Sequence, residues 1–384
     1  MSYTWTQQTL DYIPWACIAS NYTGQFLAAG SSSYIYTSNN YGVTWVISGS
    51  PNGNWNSIAS DSTGTYLAAV IFYSAVYTSS NGGVSWVLRY SGLQFNQITS
   101  DSTGQRLAVT VNNGSIYTSS NGGVNWIGSN APLKLWQHIA SNSSGQYLAA
   151  ATTSSGKIYT SNNYGVNWTA TSSPNANWLC IASDHSGQYL VASTSSSSGQ
   201  IYTSNNYGST WTVTSAPNAV WLSIASDATG QYLAASTQYI NTSIGYGIYI
   251  SIDYGSTWIK SNPTAFWWSG IASDSTGNHL AATVFNIGIY TGTIINTNYI
   301  VNGVGDLSKN FQPFISGTQA TPTGYLYNAS TTGVPNYKDL STLFAPRTTD
   351  PGSNYTSTNF KVNNYTPIWT SVTGTYDIGQ IFNS

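Results

Sequence analysis

The chain has 384 residues, and only 5% are charged, against about 25% in an ordinary soluble domain. Nine are basic and eleven acidic, every acidic one an Asp, so a net charge of −2 offers no electrostatic footprint for nucleic acid or an anionic membrane. An aromatic content of 14% excludes disorder, and no apolar run approaches the roughly 18 residues of a transmembrane helix.

In chain order the first element is a lone strand-like run, Tyr3-Thr4-Trp5-Thr6. A period near 40 residues then takes over. Ile-Ala-Ser or a near copy begins at Ile18, Ile58, Ile98, Ile139, Ile181, Ile224 and Ile271, each preceded by an aromatic at Trp15, Trp55, Phe95, Trp136, Trp178, Trp221 and Trp268. A glycine follows every Ile at the same spacing, from Gly24 to Gly277, after a turn such as Asp61-Ser62-Thr63-Gly64. Asp or Asn opens that turn by capping backbone N–H groups, and Gly supplies the positive φ that ends it. Runs of the Gln-Tyr-Leu-Ala-Ala and Ile-Tyr-Thr-Ser types come next, then a Trp at Trp45, Trp86, Trp126, Trp168, Trp211 and Trp258.

Four short β runs per period is the size of one propeller blade. The seventh unit lacks its fourth-strand Trp, and Trp5 lies as far before Ile18 as Trp45 lies before Ile58. The expected fold is therefore all-β: a seven-bladed propeller of four-stranded blades over residues 1–295, closed by the N-terminal strand through Trp5. An irregular, β-rich C-terminal tail is expected over 296–384.

The turn before each fourth strand reads Ser38-Asn39-Asn40-Tyr41-Gly42-Val43-Thr44-Trp45, with relatives from Ser79, Ser119, Ser161, Ser204 and Ser251. This resembles the Asp-box, or BNR, repeat of sialidase-like and sortilin-like β-propellers. The resemblance implies a structural hairpin built on Ser38, Asn40, Gly42 and Trp45; on Asn81 with Trp86, Asn121 with Trp126, Asn163 with Trp168 and Asn206 with Trp211; and on Asp253, Gly255 and Trp258. The Trp side chains would pack inward. Asn at five of the six acidic positions keeps the acceptor and removes the charge.

Sialidases of that family hold substrate with three arginines and use a Tyr/Glu pair. Only Arg89 and Arg106 fall within the propeller and the chain has no Glu, so no catalytic residue is assigned. A two-carboxylate glycoside hydrolase would need two Asp in the ring's centre, whereas Asp61, Asp101, Asp184, Asp227 and Asp274 occupy a turn position that Asn21 and Asn142 fill equally. His138, His185 and His279 lack partners at metal-ligand spacing, so no metal and no cofactor is expected. Cys17 and Cys180 share a repeat position in distant blades and should be free thiols.

Spacing varies mainly between second and third strands, which makes that loop face the candidate recognition surface. Its candidates are Tyr239, Asn241 and Tyr246 in the longest insertion, with Trp267 beside them, suited to a sugar or protein surface. The tail repeats a phrase, Asp306-Leu307-Ser308-Lys309-Asn310-Phe311-Gln312-Pro313 and Asp339-Leu340-Ser341-Thr342-Leu343-Phe344-Ala345-Pro346. With Asp306, Phe311, Asp339 and Phe344 as anchors, it resembles segments of predicted structural proteins of large DNA viruses of algae and protists. No signal peptide is visible. The functional expectation is a non-enzymatic structural or assembly protein on a virion, filament or cell surface, with protein partners and self-association through the tail. A carbohydrate-binding propeller is the alternative and a glycoside hydrolase the remote one; neither nucleic-acid binding nor membrane insertion is expected.

Overall fold

The computed structural model describes residues 2–8, 12–196, 198–238, 247–262, 266–295, 300–301 and 376–377. Two compact units emerge: Tyr3–Ile294, and Met1–Ser2 with Ile295–Ser384. In the second unit Ile300–Val301 pairs antiparallel with Tyr376–Asp377. The repeated tail phrase lies outside the described residues.

The large unit is an all-β propeller, as expected. Its innermost strands are Trp15–Ser20, Trp55–Ser60, Phe95–Ser100, Lys134–Ser141, Trp178–Ser183, Trp221–Ser226 and Trp268–Ser273. Each pairs antiparallel with a second strand beginning at Leu27, Leu67, Leu107, Leu148, Leu190, Leu233 or His279. The last sheet takes Ser2–Gln7 as its outermost strand, against Gly288–Ile295.

The expectation of seven separate four-stranded blades needs correction. Five sheets stand as separate four-stranded units, whereas repeats three and four share one eight-stranded sheet. The cause is local. Asn113 takes a left-handed backbone at φ 51°, and Leu107–Gly114 runs on far enough to pair Asn112 with Leu135 and Gly114 with Lys134. Fourth strands are also shorter than expected, starting after the Trp and often only two residues long, as in Val46–Ile47 and Ile127–Gly128. Short outer edges deny a template for stray strand pairing.

Packing between neighbours holds the repeats together. All seven inner-strand aromatics are fully buried, with 0% exposure. Trp55 joins Ala28 and Ile35 of the first repeat to Ile58, Leu67 and Ala69 of the second. Trp136 does the same between repeats three and four, where they share a sheet. Trp15 packs on Ala272, Ala281 and Ile289, so the first repeat closes onto the last. The Ala-rich second strands set small side chains such as Ala28 and Ala69 against these rings.

Candidate functional site

The capping turns between first and second strands surround one mouth of a central channel. Asp61 Oδ1 accepts the Tyr66 N–H at 3.0 Å, and Asp61 Oδ2 accepts the Thr63 hydroxyl at 2.7 Å. Asp101, Asp184 and Asp227 repeat this geometry with their own turns. Asn21 accepts the Phe26 N–H at 3.1 Å and donates to the Thr63 carbonyl of the next repeat at 3.4 Å. The residues that follow form a closed circuit of backbone bonds. Tyr22 N–H donates to Ser62, Ser62 to Ser102, Ser102 to Ser143, Ser143 to His185, His185 to Ala228, Ala228 to Ser275 and Ser275 back to Tyr22, all within 2.9–3.1 Å.

These Asp residues do ring the centre, enclosing about 180 Å³ at the mouth. The residues are nonetheless only 3–5% exposed, and their carboxylates are spent on the turns. Asp227→Asn is expected to cost less than about 0.5 kcal/mol in urea unfolding, and Asp227→Ala about 1–3 kcal/mol, because Ala strands the Tyr232 N–H. Equal losses for the two would contradict a capping role.

Deeper in, the channel holds a cavity of about 340 Å³ lined by the inner strands, with Asn56, Gln97 and Gln137 on one side and Leu179 and Leu222 on another. Asn56 Nδ2 donates to the Asn96 carbonyl at 2.8 Å, and Asn96 Nδ2 to the Trp136 carbonyl at 3.0 Å, so amides tie repeats two to four. Cys17 and Cys180 are free thiols. Burial pushes each up to about 12, offset slightly by Gly30 beside Cys17 and Ser193 beside Cys180. His138 is among the residues lining the channel, while its Nδ1 is buried and has no partner. Burial pushes its imidazole down to about 4, against an opposing hydrogen bond to the Ile181 backbone.

The unfolded chain therefore takes up a proton near pH 6.5 that the folded chain refuses until about pH 4, so stability falls as pH drops across that window. His138→Gln, which installs the residue type found at Gln97, should flatten this slope by on the order of 2 kcal/mol in denaturation curves taken across the window. An unchanged slope would place the acid-sensitive group elsewhere.

The six Ser-Asn/Asp turns share one geometry. Ser38 Oγ donates to Asn40 Oδ1 at 3.0 Å and accepts the Gly42 N–H at 2.9 Å; Asn40 Oδ1 accepts the Thr44 N–H at 2.9 Å. Asn81, Asn121, Asn163 and Asn206 act likewise. In the charged copy, Asp253 accepts the Thr257 N–H and hydroxyl at 2.8 and 2.6 Å. Burial works to raise its carboxyl, but hydrogen bonds from Thr257, Ser251 and Ser256 hold it below the usual range. Trp45, Trp168 and Trp258 donate Nε1 to the turn glycine carbonyl. All six box tryptophans are half-buried, unlike the fully buried inner-strand rings.

The box face carries a feature that reading single repeats misses. The box tyrosine of one repeat packs at a tilt against the head of the preceding second strand: Tyr41 on His279 at 4.9 Å and 36°, Tyr207 on Tyr147 at 4.7 Å and 37°, and Tyr254 on Tyr189 at 4.8 Å and 34°, while Arg106 lies 3.9 Å over the Tyr164 ring. His279 also pairs with Asp274 at 2.9 Å, a local partner that the repeat turn hides. The available signal was Tyr at the fourth box position and a ring-bearing residue heading most second strands.

On the opposite face Trp267 is 43% exposed and packs against Phe285 at 4.9 Å, and Phe72 stacks on Tyr73 at 3.9 Å. Tyr239, Asn241 and Tyr246 lie outside the described residues. Among the described residues no group of His, Cys and Asp is arranged to hold a metal ion. No helix there is long and apolar enough to cross a membrane.

No family model matches the chain, and no curated protein matches it. Solved structures do. The chain is similar to the GH74 xyloglucanase from Xanthomonas campestris (TM-score 0.60, 14% identity), over 75% of this chain and 53% of the enzyme, thus about half of that protein's length. YCF48 from Cyanidioschyzon merolae (TM-score 0.59, 13% identity) is matched over 75% of this chain and 98% of its own; YCF48 has also been solved bound to D1 peptide. The β-propeller domain of Cps50 (Swd1) from Myceliophteria thermophila (TM-score 0.61, 14% identity) is matched over 77% and 99%. Likeness at such identities establishes the β-propeller fold.

Proposed function

We propose that the chain is a non-enzymatic interaction propeller acting through protein–protein contacts, association between copies foremost, on a virion, filament or cell surface. The observation that carries this reading is the apolar outer rim of repeats one to three. Val46, Ile47, Val87, Leu88 and Ile127 are 49–73% exposed on the outermost strands, with Val84 at 75% and Leu133 at 73% beside them. Exposed apolar groups concentrated in this way mark association surfaces. A net charge of −2 adds little repulsion between copies.

The lack of catalysis in this reading is supported by the mouth carboxylates, which their own turns consume. A seven-bladed count is supported by the seven-membered backbone circuit, with the eight-stranded sheet read as two fused blades. Structural Asp-box turns are supported by the repeated Ser–Asn geometry. The tail motif at Asp306, Phe311, Asp339 and Phe344 is assigned to self-association on its sequence resemblance.

Light scattering and electron microscopy of the full chain at rising concentration test the reading. Ordered assembly is expected, weakened by Val87→Asp with Ile127→Asp; a strict monomer throughout would count against it. A second reading, glycan binding, is favoured by exposed Trp267 with Phe285. A glycan array without hits at concentrations suited to weak multivalent lectins would remove it.

A further inference from the structure

The series of tyrosine contacts on the box face is broken where the box tyrosine is replaced. Tyr41, Tyr164, Tyr207 and Tyr254 all sit in the left-handed region, at φ 58–62°. In repeats two and three the same position is Gly82 and Gly122, at φ 65° and 64°, so the turn is kept and the ring is lost. A Cβ at Gly122 would meet nothing closer than 3.7 Å. The space is therefore real and not closed by a neighbour.

At Gly122 the missing ring leaves a cleft of about 120 Å³, lined among others by Tyr66, Arg89, Gln105, Asn121 and Val124. That is close to the ~150 Å³ apolar cavity that admits benzene. Tyr66 heads the second strand of the preceding repeat, as Tyr147 and Tyr189 do in theirs, and is 40% exposed. Arg89 spends its Nε on the Thr78 hydroxyl at 2.7 Å. Its terminal guanidinium nitrogens face no carboxylate among the residues lining the cleft.

We propose that this cleft receives a tyrosine side chain from an extended segment of a partner protein. Its ring would lie on Tyr66, where a box tyrosine lies in four other repeats. Its hydroxyl would meet the donors of Arg89 and Gln105. A tyrosine is preferred to a sugar because the covered positions of this same face are each filled by a phenol ring. It is preferred to phenylalanine because an apolar edge would leave the Arg89 donors unpaired. The proposal deepens the interaction reading and rests on it.

The test is saturation-transfer NMR on the full chain, with N-acetyl-L-tyrosine amide as probe beside the phenylalanine amide, the leucine amide and methyl β-glucoside. Transfer to the tyrosine ring is expected, weaker for phenylalanine and absent for leucine. Gly122→Tyr, a residue this backbone already carries four times, should weaken tyrosine binding at least about tenfold with the melting temperature held or raised. Tyr66→Ala should weaken it as well, and Arg89→Gln should narrow the gap between tyrosine and phenylalanine. Undiminished binding in Gly122→Tyr, or a stronger signal from the glucoside, would overturn the proposal. Assembly measured on the wild-type chain separates the two claims: if it assembles but shows no tyrosine transfer, the cleft assignment falls and the interaction reading stands.

Discussion

Deleting Ser2–Gln7 is expected to destabilise the propeller by roughly 4–6 kcal/mol and lower its melting temperature by roughly 10 °C or more. The strand completes the last sheet against Gly288–Ile295. Tyr3 is 7% exposed and its hydroxyl donates to the Gly277 carbonyl. Trp5 lies 6.0 Å from the Trp268 ring and donates Nε1 to Ser261 Oγ at 3.1 Å. The Tyr290 hydroxyl donates to Gln7 at 2.8 Å. Losing one buried and one half-buried aromatic and baring a strand edge consumes much of the 5–15 kcal/mol by which domains are usually stable. A synthetic peptide of residues 1–8 added in trans should restore part of the loss by pairing with the bared edge. A truncated chain that melts like the full one would show that the ring does not depend on this closure.

Trp55→Ala is expected to cost about 3–5 kcal/mol, the loss typical of a large buried aromatic. Trp55 has no exposure and joins two repeats, meeting Tyr77 edge-on at 5.5 Å and Trp86 at 5.9 Å. Trp86→Ala, at a half-buried box position, should cost about half as much. Urea unfolding of both variants checks the order. If the box tryptophan proved the costlier loss, the inner-strand rings would not be the main adhesive between repeats. Trp55→Phe should be milder than Trp55→Ala, since the Trp55 Nε1 has no hydrogen-bond partner to lose.

The turns and inner aromatics were legible in the sequence because each has few physical solutions. A residue that accepts two hydrogen bonds from its own turn must be Asp or Asn, and Gly64 at φ 82° tolerates no ordinary side chain without strain. Trp5 was legible by its spacing, since a missing strand at one end and a spare at the other have one pairing. The fused sheet was not legible. It depends on Asn113 turning left-handed and on two residue pairs at Leu135 and Lys134, where repeat arithmetic expects a free connection. The tyrosine contacts on the box face were missed for another reason. Tyr41 and His279 are neighbours only because the ring closes, so no single repeat displays the contact. Loop-length variation points instead to the opposite face, where only Trp267 of the four candidates lies within the described residues.

The reading that this propeller works by surface association, with its carboxylates spent on turns, is tested most directly by sedimentation velocity of the full chain over a wide concentration range, paired with Val87→Asp/Ile127→Asp. Concentration-dependent assemblies are expected for the native chain, with a shift towards monomer for the rim variant at unchanged melting temperature. A native chain that sediments as a monomer at every concentration, or a rim variant that assembles as well as the native chain, would contradict it.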